Sequence, residues 1–178
     1  MGENLKALSY EYRKNVVDMI MSGKGGHIGG DMSEMEILMQ LYLREMNISP
    51  ENQDDPDRDY FILSKGHAVE SFYTVLAHKG FFPLEKVMAE FSHFGSEFIG
   101  HPNNRLPGIE MNSGSLGHGL PVAVGLAVQA QRGIGLEELC GALHRPYGEI
   151  LGAVGQLEAD GVVTTDLLRR CSLAPGWE

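Results

Sequence analysis

The sequence predicts an α/β protein in which helices pack on a truncated parallel sheet, followed by a small helical tail. Apolar residues recur at three- and four-residue steps in several segments, which is the spacing of amphipathic helices. A short apolar run, Tyr60–Leu63, passes directly into a glycine turn and another helical stripe, an arrangement that places ligands at the carboxyl end of a parallel strand. The 23 glycines among 178 residues are grouped in short loops, where backbone can approach a ligand closely.

The first fifty residues predict two helices around one glycine-rich loop. Helical periodicity covers residues 4–22, and the loop 22–30 has His27 near its centre. Ser33–Glu36 has the form of a capping box, so we expect the second helix to start there and to end near Met46.

The middle of the chain predicts one strand and three further helices. Tyr60–Leu63 is the best strand candidate, and a helix follows from Val69. Pro83 suits the start of the next helix, and residues 93–113 are irregular. Gly119–Val128 is apolar all round, which is typical of a helix buried on every side.

The character of the sequence changes near residue 131, so we predict two regions, 1–131 and 132–178. In the second, a helical pair over Leu136–Leu143 and Tyr147–Gly161 is followed by two valines and resembles the helix-turn-helix core of a winged-helix module. The second of these helices carries acidic residues and no Lys or Arg, which favours an interaction role over DNA recognition. A junction or shifted reading frame is the alternative origin of this tail.

Composition narrows the class of function. The formal charge of −10 argues against a general nucleic-acid binder, although it leaves phosphorylated small molecules open. Cys140 and Cys171 are too few and too distant for a disulfide framework or a cysteine metal site. The first residues have no apolar signal core, and no apolar run reaches the ~20 residues of a membrane span. We therefore expect a cytoplasmic protein without membrane contact.

Histidines beside glycine or proline are the main candidates for chemistry. Histidine exchanges protons near neutral pH, and a single loop histidine is a weak signal. Several such loops, one of them directly after a predicted strand, indicate a shared polar pocket. Spacing alone does not name a reaction. Five of the seven histidines lie in this setting: His27, His67, His93, His101 and His118.

The same loops resemble the successive signature loops of transketolase. The motifs are Gly26–Gly29, Asp59–Ala68, Gly100–Pro102 and Ser113–Gly119, and they occur in order over roughly residues 5–131. They resemble the form of transketolase that is split across two genes, in which an N-terminal subunit carries the diphosphate-binding half.

This resemblance implies a thiamine-diphosphate-binding fold and transfer of a two-carbon ketol unit between sugar phosphates. The implied cofactor is thiamine diphosphate, with Mg²⁺ in the intact family. The implied partner is a complementary C-terminal transketolase subunit in a homo- or hetero-oligomer. By similarity, His27, His67 and His101 are the catalytic histidines, and His27 and His101 contact the substrate. The cofactor-binding residues implied are His67, Gly114, Ser115, Leu116 and His118, the last standing where relatives often have glutamine.

The resemblance stops before the metal site. The family holds Mg²⁺ through a Gly-Asp-Gly motif and a later asparagine, and the sequence contains no Gly-Asp-Gly. Asp160 does not follow a strand-like run, so we predict no metal ligand in this chain. The expected activity is therefore defective. The alternatives are a non-catalytic remnant or interaction protein that docks on a transketolase-type partner, and a related synthase that uses the same loops.

Overall fold

A computed structural model describes residues 4–131, 134–166 and 170–174. The backbone separates into two compact units, Met1–Leu116 and Gly117–Glu178. The predicted α/β class is confirmed, because the chain is rich in helix and has one small sheet. Among the residues described, no helix combines the length and the apolar character needed to cross a membrane.

Two helices and the loop between them begin the first unit. Helix α1, Leu5–Gly23, starts at Asn4, whose Oδ1 accepts the N–H groups of Lys6 and Ala7, so the helix predicted over residues 4–22 is confirmed. Helix α2 spans Ile28–Gln40 and continues as a π-helical turn to Glu45.

The predicted start of α2 at a capping box is wrong. Ser33 lies inside the helix, and its Oγ donates to the carbonyl oxygen of Gly30 at 2.8 Å. The carbonyl of His27 instead accepts the N–H groups of Gly30 and Asp31, which opens the helix one turn earlier.

The predicted strand Tyr60–Leu63 is also wrong. This segment is extended, but no strand pairs with it among the described residues. Its backbone is satisfied partly by a side chain, since Ser113 Oγ donates to the Leu63 carbonyl at 3.0 Å. The ring of Phe61 packs against the helices at 5.2 Å from the ring of Phe72, so hydrophobic burial rather than a sheet holds the segment.

The predicted helices after this segment are confirmed. A 3₁₀ turn, Gly66–Ala68, leads into α3, Val69–Lys79, and Pro83 precedes α4, Leu84–Glu90. A second 3₁₀ turn, Pro50–Asn52, lies in the preceding loop. Helices α1, α2 and α3 pack on one another around a core rich in aromatic rings. The aromatic residues buried in that core are Tyr12, Tyr42, Phe72, Tyr73, Phe81, Phe82, Phe91 and Phe98.

The second unit consists of three helices and a small antiparallel sheet. The helices are α5, Gly119–Gln131, α6, Leu136–Leu143, and α7, Tyr147–Ala159. The strands are β1, Ile134–Gly135, β2, Val163–Thr165, and β3, Arg170–Leu173, in the order β1-β3-β2. The helices predicted for the tail are confirmed. The predicted parallel sheet is wrong, because every pairing in the described residues is antiparallel.

The apolar helix α5 belongs to the core of the second unit. Val124 and Val128 are fully buried there, whereas Leu126 is 36% exposed, so the prediction of burial on every side is wrong. The structural division falls between Leu116 and Gly117, upstream of the boundary at residue 131 predicted from the change in sequence character.

Candidate functional site

Three of the predicted histidines converge in the first unit. The ring centroid of His27 lies 5.2 Å from that of His67 and 6.1 Å from that of His101, with both neighbouring rings presenting an edge. His27 is exposed, and the other two are half-buried. Three imidazoles within this distance can donate to or accept from the oxygens of one small polar ligand.

The His27 loop rests on a buried carboxyl group. The backbone N–H of His27 donates to Glu70 Oε1 at 3.2 Å. Gly26 permits this approach, because a Cβ at that position would overlap Glu70 Oε1 and would lie 2.5 Å from Cγ1 of Ile20. The loop is therefore shaped by contacts from α1 below it and from α3 beside it.

The turn before His67 is tied to α2 by a lysine. Lys65 Nζ lies 2.9 Å from Glu34 Oε2 and donates to the Gly30 carbonyl at 2.9 Å. It also donates to Ser33 Oγ at 3.1 Å. These contacts fix the backbone just before His67 against the first turn of α2.

His101 is held through its backbone. The hydroxyl of Tyr73 lies 3.0 Å from the carbonyl oxygens of both Ile99 and His101, so this buried phenol anchors the loop that carries the imidazole. Burial raises the pKa of the Tyr73 phenol well above its usual range, so it remains a hydrogen-bond donor at physiological pH.

The glycine loop after residue 113 comes close to His101. A Cβ on Gly114 would meet only His101 Cδ2, at 3.7 Å, so this backbone lies open beside the imidazole. Ser115 and Leu116 follow and are exposed, Leu116 to 70%. His118 belongs to the second unit, where it is exposed before α5, and His93 is exposed in a loop of the first unit.

The sequence interpretation missed an acidic layer beneath these loops. Asp31 and Glu70 are both fully buried, and Glu34 is nearly so. The available signal was that Asp31 follows the Gly-Gly pair directly and that Glu70 interrupts the apolar stripe of α3. Burial is the largest cause that raises the pKa of each of these three carboxyl groups, and the pKa of Glu70 is about 7.

A metal site is not formed by the part of the chain that the structure describes. No three His, Cys, Asp or Glu side chains are grouped there in a way that could hold a metal ion. The absence of a metal ligand from the whole chain stays a prediction.

Comparison with known proteins identifies the family. The family model described as "Transketolase, thiamine diphosphate binding domain" matches residues 6–136. An apulose-4-phosphate transketolase subunit of Phocaeicola vulgatus is 44% identical over 129 residues, which is 72% of this chain and 46% of that protein. The 6-deoxy-6-sulfo-D-fructose transketolase subunit SqwG of a Clostridium species is 43% identical over 107 residues, 60% of this chain and 38% of that protein.

A solved structure agrees with these relatives. Transketolase from Leishmania mexicana superposes with a TM-score of 0.66 at 31% identity, over 72% of this chain and 19% of that one. The chain spans less than half the length of the two curated relatives above. Since the family model covers well over half of the chain, this protein belongs to the transketolase thiamine-diphosphate-binding domain family.

Proposed function

We propose that this chain is the cofactor-binding part of a split transketolase that transfers a two-carbon ketol unit between sugar phosphates. The observation that carries the proposal is the convergence of His27 with His67 and His101, at centroid distances of 5.2 and 6.1 Å. A cluster of this kind suits a polyhydroxylated substrate, because each imidazole offers one donor and one acceptor in its neutral form.

In this proposal His27 and His101 bind the hydroxyl and carbonyl oxygens of the sugar. His27 lies between the other two rings and is the exposed member, so it meets substrate that enters from solvent. The loop of His101 is anchored by Tyr73, and His101 is proposed to contact the same substrate. Either imidazole can accept a proton from a sugar hydroxyl and return it, because a neutral imidazole has one ring nitrogen that accepts and one that donates.

The cofactor proposed is thiamine diphosphate, which when bound supplies the electron sink for carbon–carbon bond cleavage. His67 donates to an anionic phosphate oxygen in this arrangement. The open backbone of Gly114 supports close approach of the cofactor, because only His101 Cδ2 lies near its missing side chain. The resemblance also makes Ser115, Leu116 and His118 proposed cofactor-binding residues.

The names of the relatives support the substrate class and the partner. One is named for apulose 4-phosphate and another for a sulfonated deoxyfructose, and both are named as subunits. We infer that the donor is a phosphorylated or similarly anionic ketose. The partner that we infer is a complementary C-terminal transketolase subunit, in a homo- or hetero-oligomer. Cytoplasmic location remains part of this proposal.

We further propose that this chain alone is catalytically defective. The Gly-Asp-Gly motif expected from the resemblance is missing from the sequence, and the described residues contain no cluster of three His, Cys, Asp or Glu side chains that could hold a metal ion. The partner subunit is proposed to complete the site. The competing hypothesis, a non-catalytic remnant that docks on such a partner, predicts that the cofactor does not bind at all.

Calorimetry on the full chain separates these two hypotheses. We expect heat on titration with thiamine diphosphate, with Mg²⁺ present, and at least ~10-fold weaker binding for His67→Ala, equivalent to about 1.4 kcal/mol. His93→Ala is the matched control, since it removes an exposed histidine of the same unit. Absence of heat from the wild-type chain, both alone and with a complementary subunit, would overturn the proposal and favour the remnant.

We also propose that residues 132–178 form a winged-helix-like interaction module. The order β1-α6-α7-β2-β3 with strand arrangement β1-β3-β2 supports this interpretation. Helix α7 exposes Glu149 and Glu158 and contains no Lys or Arg, so duplex DNA is a poor partner. We expect no binding of the full chain to duplex DNA in low salt, as measured by fluorescence anisotropy, and tight binding would reverse the assignment.

A further inference from the structure

Two buried carboxyl groups meet beneath the His27 loop. Asp31 lies in the first turn of α2, and Glu70 lies in the first turn of α3, where the two helices pack together. Both side chains are completely inaccessible to solvent. Two ionised carboxylates in contact and away from water repel each other and lose their hydration, so such a pair needs a compensating proton or cation.

One oxygen of each group has a clear partner. Asp31 Oδ1 accepts the backbone N–H of Ser71 at 2.7 Å, and Glu70 Oε1 accepts the backbone N–H of His27 at 3.2 Å. The remaining oxygens, Asp31 Oδ2 and Glu70 Oε2, are buried and have no other hydrogen-bond partner. The two side chains are close enough to hydrogen bond to each other once one of them carries a proton.

The groups around the pair favour the ionised form of Asp31 and the protonated form of Glu70. Asp31 accepts an N–H group at the start of α3, where the helix dipole favours a negative charge. Lys65 lies near enough to favour the anion of Asp31 as well. Burial, followed by the charge of Asp31, raises the pKa of Glu70 to about 7. Glu70 is therefore the member of the pair that holds a proton at and below neutral pH.

We propose that Asp31 and Glu70 share one proton and act as a positioning pair that fixes the backbone of His27 against α3. In this arrangement Glu70 donates its proton to Asp31 Oδ2 while its other oxygen accepts the His27 N–H. Loss of the proton leaves two adjacent anions and loosens the contact between the loop and the helix. The consequence for substrate binding by His27 depends on the proposed function, but the proton-sharing pair itself does not.

The other charged or titratable groups around the pair come from the same three segments. Glu34, which also lies on α2, is close enough to Asp31 for the charge of Asp31 to raise the pKa of Glu34. The negative charge of Glu34 makes the ionisation of Asp31 less favourable in the same way. From the turn before α3, Lys65 pairs with Glu34 at 2.9 Å and offsets that charge. Within α3, the phenol of Tyr73 is influenced by Glu70 and stays neutral. None of these groups supplies the donor that Glu70 Oε2 lacks.

Glu70→Gln and Glu70→Ala test this pair in the full chain without cofactor. A glutamine amide keeps an oxygen for the His27 N–H and presents an N–H to Asp31, so it imitates protonated Glu70 at every pH. The measurement is the hydrogen-exchange protection factor of the His27 amide, together with the thermal midpoint, at pH 5.5 and pH 8.5. Glu85→Gln, an exposed change on α4, is the matched control.

The sign of the pH effect follows from the raised pKa. Because folded Glu70 holds its proton up to about pH 7 and the unperturbed pKa is 4.5, its stabilising contribution is complete below about pH 4.5 and is lost as pH rises through 7. We expect wild type and Glu70→Gln to agree at pH 5.5. At pH 8.5 we expect the glutamine variant to retain protection while wild type loses on the order of 10-fold.

Two outcomes would overturn the proposal. One is a protection factor of the His27 amide in the wild type that is the same at pH 5.5 and pH 8.5. The other is a Glu70→Gln variant that loses His27 protection at both pH values. Glu70→Ala should lose protection at both pH values by the same order as wild type at high pH. If that variant fails to fold, the comparison of wild type with Glu70→Gln still decides. Because none of these readouts involves thiamine diphosphate or a sugar, a failure of the proposed reaction would leave them unchanged.

Discussion

The two units of this chain are stabilised by different kinds of core. The first unit buries a set of aromatic rings together with ionisable groups beneath the histidine loops. The core of the second unit is built from aliphatic side chains and Cys171, with no aromatic ring among its described members. An aromatic core with buried carboxyl groups constrains geometry strongly, because rings and hydrogen bonds fit in few orientations. Among its described members, the aliphatic core of the second unit has no ring or buried carboxyl group that would impose such constraints.

Individual glycines in the two units differ in how closely other atoms pack around them. At Gly66 a Cβ would lie 3.0 Å from the carbonyl carbon of Ser113, so a larger residue would force the Ser113 segment to shift. In α7 the glycines at 148, 152 and 155 have nothing within 4 Å of the point where a Cβ would stand, so packing within this chain does not require them. Close packing therefore accounts for the glycines at Gly26 and Gly66 of the first unit, and it does not account for these three glycines of α7.

The largest expected effect tests the aromatic core. Phe72→Ala removes a buried ring that lies 5.2 Å from Phe61 and 5.8 Å from Tyr42, and it should lower the free energy of unfolding by about 3–5 kcal/mol. Phe94→Ala is the control, because that ring is fully exposed and its loss should cost no more than about 0.5 kcal/mol. Equal effects of the two changes in chemical denaturation would contradict the described core.

A smaller loss is expected where backbone segments touch. Gly66→Ala forces a methyl group against Ser113, whose Oγ also bonds to the Leu63 carbonyl, and should destabilise the first unit by about 1–3 kcal/mol. Hydrogen exchange of peptides from residues 60–68 should increase, while those from α7 should not change. Exchange that rises equally in both units would show that the two do not unfold separately.

The smallest expected effect is a gain in the stability of helix α7. Gly152→Ala adds a methyl group in open space in the middle of α7 and should stabilise that helix by about 0.5–1 kcal/mol. Gly161→Ala is its counterpart, since φ is +70° there and an alanine would be strained. A loss of stability for Gly152→Ala would indicate that a partner or a second copy already occupies this face.

Helices were predictable from the sequence, and tertiary contacts were not. The apolar periodicity of α1 and of the tail helix α7 predicts them correctly because each buries one stripe, whereas α3 is buried on every side from Val69 to Leu76. Tyr60–Leu63 failed as a strand because local composition indicates an extended chain but says nothing about a partner to pair with. The capping box at Ser33 failed for a similar reason, since the preceding glycine loop already satisfies the first turn of α2.

The candidate site was predictable in part. The three clustered histidines were named from their loops and from the resemblance to a known family. The acidic pair Asp31 and Glu70 was not, because neither residue stands in a glycine loop and the two are far apart in the sequence, as the Ser71–Asp31 bond across 40 positions illustrates. Buried polar groups of this type become visible only when the path of the backbone is known.

Helix α3 has a consequence for how the three histidines respond to disturbance. His67 lies in the 3₁₀ turn that leads into this helix, Glu70 on its first turn holds the loop of His27, and Tyr73 one turn later holds the loop of His101. All three imidazoles are thus positioned by contacts with the same helix. A small displacement of helix α3 would therefore move the three rings together and preserve the distances between them.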